Sequence, residues 1–347
     1  MQIIELLTPA YEAAWLPWAV QYFFLIGIAS TAALTAAGLA LLTQPGSPDW
    51  RLMPAVMIVL VTSAIAAPVS LLADLHQPGR FWHFYAYFTP WSWMSIGAYL
   101  LPVFVSLVIG FCSAWWLGYL TVMRVLAVLL IISAISILVY TGSEVMAVRS
   151  RPLWNTVFLP LNFALTGWLA AMGAVLLVTR WLPGGLGATP VQLIRRLGLI
   201  AVTLLVMSAL VWSVRGMTGG EPSYTAALRL YELFPVWRIS LLGSLLAGLA
   251  IFVLVVRHAR FLLRPGYSFL VAVMMLATAW IFRWIIFMSV QGVPKYGAGL
   301  YIYQMPWGGD GLMGMLGVLG LCIALISIAL FLLERFPGHP RCDARLA

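Results

Sequence analysis

The sequence predicts an all-α integral membrane protein of about nine transmembrane helices. Three observations carry this. Hydrophobic residues make up 63% of the 347-residue chain. Charged residues make up only 8%, against about 25% in an ordinary soluble domain. The apolar residues also gather into stretches of about 20 or more, the length an α-helix needs to cross a hydrocarbon core of about 30 Å. Water is not the solvent such a surface expects.

The spans fall at 17–43, 53–74, 93–116, 121–147, 157–182, 194–214, 237–257, 266–290 and 312–335. The first carries no Lys or Arg and follows a segment holding Glu5 and Glu12. A signal peptide needs a basic start, so this stretch is expected to stay as a helix. The second contains Pro68, which removes a backbone donor and frees a carbonyl, and ends at Asp74. The third is uninterrupted by charge. The fourth carries Tyr140 and Glu144. The fifth opens at Leu159-Pro160 and holds Asn162. Arginines flank the sixth and seventh. The eighth encloses Arg283, and the ninth is apolar to Glu334. The longest connections, 75–92, 215–236 and 291–311, are too short to fold as domains.

The net charge of +9 comes from 19 basic residues against 10 acids. The arginines stand at span ends, so they read as topology signals and headgroup anchors, not as a nucleic-acid surface. Eleven basic residues fall on one side of the spans and seven on the other, with Arg283 inside. The positive-inside rule then puts the N-terminus outside. Leu16-Pro17 with Gly27 in the first span is echoed by Leu159-Pro160 with Gly167 in the fifth. That echo suggests two four-helix bundles and one extra helix: residues 1–150, with the functional site, and 151–347, with the final span.

Charged groups inside a membrane are costly and point to function. Here they share one end of the spans. Gln21 and Tyr22 begin the first span, Asp74 ends the second, and Glu144 lies a turn from the end of the fourth. Asn162 begins the fifth. Arg283 sits roughly 10 Å inside the end of the eighth. Tyr140 and Glu144 are four apart and share a helix face. A hydroxyl donor beside a carboxylate is what removing protons from a hydroquinone requires. The alternative is a helix-end acid paired with Arg149 or Arg151. In the turn after the second span, Asp74 and Arg80 are placed to pair, and His76 and His83 titrate near neutral pH. Trp82, Phe84 and Tyr85 there read as an interfacial aromatic belt. Arg283 is expected to neutralise a buried acid such as Glu144 or Asp74.

Other classes lack their residues. The histidines, His76, His83, His258 and His339, all lie outside span centres, so no bis-histidine haem is expected. Cys112, Cys322 and Cys342 are too scattered for an iron–sulfur cluster or zinc site. No nucleotide-binding motif appears.

Three stretches carry a resemblance. These are Leu71-Leu-Ala-Asp-Leu-His-Gln-Pro-Gly-Arg-Phe-Trp-His-Phe-Tyr, Tyr140-Thr-Gly, and Arg151-Pro-Leu-Trp-Asn. They resemble the NrfD/polysulfide reductase membrane-subunit family. Trp15-Leu-Pro-Trp-Ala-Val-Gln-Tyr-Phe-Phe and Thr89-Pro-Trp-Ser-Trp-Met are similar to its tetrathionate reductase branch. The resemblance implies a quinol-oxidising anchor in the bacterial inner membrane, taking menaquinol or ubiquinol on the periplasmic face and carrying no haem. It implies an iron–sulfur subunit and a molybdopterin subunit as partners, and these would hold the metals. It places Tyr140 and Gln21 on the quinone and Asp74 at the proton exit. The polysulfide reductases have a His in the first span that this sequence lacks, so Gln21 or His76 is the expected substitute. The rivals are a passive anchor, a secondary transporter and a quinol-driven proton pump. The apolar span centres argue against the transporter, and the apolar inner leaflet against the pump.

Overall fold

The computed structural model describes residues 13–75, 77–293 and 303–336. Among these, nine helices are long and apolar enough to cross a membrane. They are α1 (Pro17–Leu42), α2 (Met53–Asp74), α3 (Trp93–Leu117), α4 (Leu120–Met146) and α5 (Phe158–Val178). Then follow α6 (Val191–Met217), α7 (Pro235–Val256), α8 (Pro265–Trp284) and α9 (Leu312–Arg335). Each expected span is present, with edges shifted by a few residues. No strand occurs among the described residues. In lipid every backbone group must bond within its own segment, which a helix allows.

Helix ends follow local chemistry. Proline opens α1, α7 and α8, where its missing donor costs nothing. Gly118 closes α3 at φ 78°, a left-handed conformation that glycine adopts without strain. Tyr119 N–H then bonds the Ala114 carbonyl at 2.9 Å. The backbone reverses at once into α4, making a tight hairpin.

Helix α1 is the axis of the molecule. It packs on α2, α4, α5, α8 and α9. The buried residues of its second half include Ala29, Ala32, Ala33, Ala36 and Ala37, and small residues let helices approach closely. Helices α1 to α4 pack in a cycle, each on the next and α4 back on α1; α5 to α8 repeat the cycle.

The two cycles meet where Gly27 of α1 faces Gly167 of α5. A Cβ at Gly167 would lie 2.9 Å from the Gly27 carbonyl oxygen. Arg283 of α8 reaches into this seam and is fully buried. Its guanidinium donates to the carbonyls of Phe23 (2.8 Å), Phe163 (3.0 Å) and Ala279 (3.0 Å), and to the Thr166 hydroxyl (3.0 Å). The expectation that Arg283 pairs with Glu144 or Asp74 is therefore corrected: neutral oxygens of α1, α5 and α8 hold it. Its guanidinium carbon also stands 5.3 Å from the Phe163 ring centre, a cation–π contact.

Beyond Arg283 the helix opens into a π-helical turn, Ile285–Ser289. Trp154 Nε1 bonds the Ile286 carbonyl at 2.7 Å, satisfying a group that the wider turn exposes. The Gln291 amide accepts from Trp15 N–H (3.1 Å) and donates to the Trp15 carbonyl (2.8 Å). Arg151 donates to the carbonyls of Val290, Gln291 and Val293. The end of α8 is thus pinned to the start of α1 and to the α4–α5 connection.

Candidate functional site

A cavity of about 280 Å³ opens between the C-terminal end of α2, the N-terminal half of α3 and the C-terminal end of α4. From α2 and its exit come Pro68, Leu71, Leu72 and Leu75; the following turn adds Phe81, Phe84 and Tyr85. Helix α3 gives Met94, Gly97, Ala98, Leu101, Pro102 and Val105, and α4 gives Tyr140 and Glu144. Ligand pockets run from about 300 to 1,000 Å³, so the space suits one aromatic head group and not a whole lipid. Pro68 and Pro102 both lie inside their helices. Each removes a helical hydrogen bond beside the cavity.

Most of the wall is apolar or aromatic, and the polar groups gather on α4. Tyr140 is almost fully buried and sits against Gly97, where a Cβ would run into its phenol. Only glycine leaves room for it. Tyr140 interacts with Tyr22 of α1 on one side and Glu144, one turn on, on the other. Asp74 is the next charge acting on Glu144. The Tyr22 hydroxyl is buried, and no described residue gives it a hydrogen bond of good geometry. The Asp74 carboxylate accepts from Leu16 N–H at 3.3 Å. It therefore sits at the start of α1, where the helix dipole favours an anion.

The other residues singled out from sequence are more dispersed. Gln21 is buried on α1 but is not part of the cavity wall. His76 lies outside the described residues. His83 stacks edge-on with Trp82 at 4.0 Å between ring centres. Arg80 is exposed, and among the described residues no hydrogen bond joins it to Asp74. Arg149 is also exposed, and Arg151 is committed to the carbonyls after α8, so neither is seen paired with Glu144. Arg283 belongs to the helix seam. A buried acid, Glu221, accepts from the Ser223 hydroxyl at 2.6 Å in the turn after α6, far from the cavity in sequence.

Sequence reasoning missed four contributors. Phe84 and Tyr85, read as belt aromatics, line the cavity, as does Phe81. Gly97 was not singled out. A signal was present: Met94, Gly97, Leu101 and Val105 recur at helical spacing on one face of α3.

Chemically, the site offers a slot for a flat ring, a phenol that can bond a ring oxygen and a carboxylate that can receive a proton, with the Asp74 carboxylate outside the wall at the start of α1. Among the described residues no three His, Cys, Asp or Glu side chains gather as metal ligands would.

Comparison with known proteins supplies the remaining finding. Residues 6–295 match the family described as "Polysulphide reductase, NrfD". The C subunit of tetrathionate reductase from Salmonella typhimurium is 34% identical over 345 aligned residues, covering 94% of each protein. The C component of polysulfide reductase from Wolinella succinogenes is 27% identical over 175 residues, 45% of this sequence and 55% of that one.

Proposed function

Because the protein belongs to the polysulphide reductase NrfD family, we propose that it is the quinol-oxidising membrane subunit of a tetrathionate reductase-like complex. The observation that supports this best is the cavity itself, apolar and aromatic on three sides, with Tyr140 and Glu144 together on the fourth.

In this reading menaquinol or ubiquinol enters with its ring against Phe81, Phe84 and Tyr85. The Tyr140 hydroxyl holds one ring oxygen, with Tyr22 behind it and Gln21 or His76 supporting. Glu144 and Asp74 accept the two protons, which leave toward the surface past Arg80 and His83. Each quinol gives up two electrons and two protons. The electrons go to an iron–sulfur cluster of a partner subunit, which passes them to a molybdopterin subunit. The protein spans the bacterial inner membrane with its N-terminus and cavity on the periplasmic side. Residues 1–150 form the quinol-handling unit and 151–347 the second unit. Protons and electrons then leave on one side, and this step alone moves no charge across the bilayer.

The test is binding of a fluorescent quinol analogue to the assembled complex, wild type against Tyr140→Phe and Glu144→Gln. Saturable binding weakened tenfold by either change, about 1.4 kcal/mol, supports the site. Saturable binding indifferent to both moves the pocket elsewhere. No saturable binding favours a passive anchor.

A further inference from the structure

The end of the molecule opposite the cavity has its own concentrated chemistry. Helix α6 begins there, as does α8, and α5 and α7 end there. Arg195 donates from Nε to the Val255 (3.0 Å) and Arg257 (2.7 Å) carbonyls and from Nη2 to the Val256 carbonyl (2.6 Å). It closes the C-terminus of α7. Arg180 donates to the Pro265 carbonyl (2.5 Å) and the Ser268 hydroxyl (2.6 Å). Its Nε is buried, with no partner among the described residues.

Between these two lie cations whose guanidinium groups no oxygen of the described residues engages. Arg257 and Arg264 are exposed, and their guanidinium carbons stand 5.8 and 5.0 Å from the centre of one ring, Phe261. Phe261 is itself held against Tyr267, at 5.7 Å between centres, whose hydroxyl donates to the Leu254 carbonyl. Arg260, also exposed, is on the same turn. No acid close in sequence balances them: there is no Asp or Glu from 145 to 220 or from 233 to 309. Like charges held beside one ring repel, and an anion between them removes that cost. Every one of these cations is arginine, whose planar fork matches phosphate oxygens bidentately.

We propose that this end carries a binding site for an anionic phospholipid, with the headgroup phosphate held by Arg257 and Arg264 around Phe261. The apolar surface beside the arginines selects a lipid over a soluble anion. From the loop into the membrane, Leu263, Phe269, Leu270 and Val273 are 42%, 54%, 49% and 39% exposed. They form a track from the turn before α8 onto α8 itself, along which acyl chains lie. Arg180 stands over Phe269 at 5.5 Å, beside the head of that track. Arg260, exposed on the same turn, adds long-range attraction.

The test is native mass spectrometry of the full-length protein in detergent, titrated with cardiolipin, phosphatidylglycerol or phosphatidylcholine. Retention of the two anionic lipids but not of phosphatidylcholine is expected. The double change Arg257→Gln with Arg264→Gln is expected to weaken cardiolipin binding at least tenfold. Arg124→Gln, an exposed arginine at the same end, should leave it unchanged. The double change to lysine keeps the charge and loses the fork, and an intermediate affinity is expected. Full retention in the glutamine pair overturns the proposal, as does an equal loss in Arg124→Gln. Displacement of cardiolipin by excess inorganic phosphate overturns it in favour of a soluble-anion site. Should the glutamine pair not fold, phosphatidylcholine bound as tightly as cardiolipin by the wild type overturns it alone.

Discussion

The phenol of Tyr140 occupies the space into which a side chain at Gly97 would project. One helix therefore surrenders its side chain so that the next can place a hydroxyl on the cavity wall.

Gly97→Ala should displace the Tyr140 ring while leaving every polar group in the sequence. Forcing a methyl into a packed site costs about 1–3 kcal/mol, here largely absorbed by moving the phenol. Quinol-analogue affinity and quinol oxidation by the complex should each fall at least tenfold. Unchanged affinity would show that the position of Tyr140 does not matter.

Asp74 has two separable jobs. Its carboxylate accepts from Leu16 N–H and its charge acts on Glu144. Asp74→Ala should lose about 1 kcal/mol of stability, the usual cost of a lost helix cap, and quinol turnover with it. Asp74→Asn keeps an oxygen acceptor, so its melting temperature should match the wild type while turnover falls. Equal melting losses in the two variants would refute the capping role.

Arg283 joins three helices through neutral oxygens. Arg283→Leu leaves a void in the seam and unbonded groups behind, at a cost of roughly 2–5 kcal/mol. Lysine is too short of donors to replace four directed bonds, so Arg283→Lys should also melt markedly lower in detergent. Gly167→Ala should destabilise the same seam, since its methyl would press on the Gly27 carbonyl. A wild-type melting curve for any of the three would show the seam to be loose.

Gln291 grips both backbone groups of Trp15. Gln291→Leu removes both bonds, at about 1–3 kcal/mol. Hydrogen exchange at the Trp15 amide should speed up accordingly, with little change in the centre of α1.

Much of this was legible in the sequence, because span length and composition answer to the bilayer and not to particular neighbours. The shared face of Tyr140 and Glu144 follows from spacing alone. The pairing of Gly27 with Gly167 was visible only as an echo of two openings; that they touch depends on how α1 and α5 meet. The partners of Arg283 were not legible. They are mostly backbone carbonyls, which every residue carries, so a search for a counter-charge looked for the wrong chemistry. Phe84 and Tyr85 were read only as belt residues for a related reason: an aromatic at a membrane surface and an aromatic lining a cavity have the same composition, and only the path of the 75–92 turn separates them.

The burial of Arg283 among acceptors on α1 and α5 also bears on how the protein is made. Lone arginines resist entry into lipid by about 2.5–3.5 kcal/mol. Synthesis runs from the N-terminus, so both acceptor helices emerge from the ribosome before α8 does. The eighth helix then finds its hydrogen-bond acceptors already in place, and the order of translation becomes part of the folding pathway.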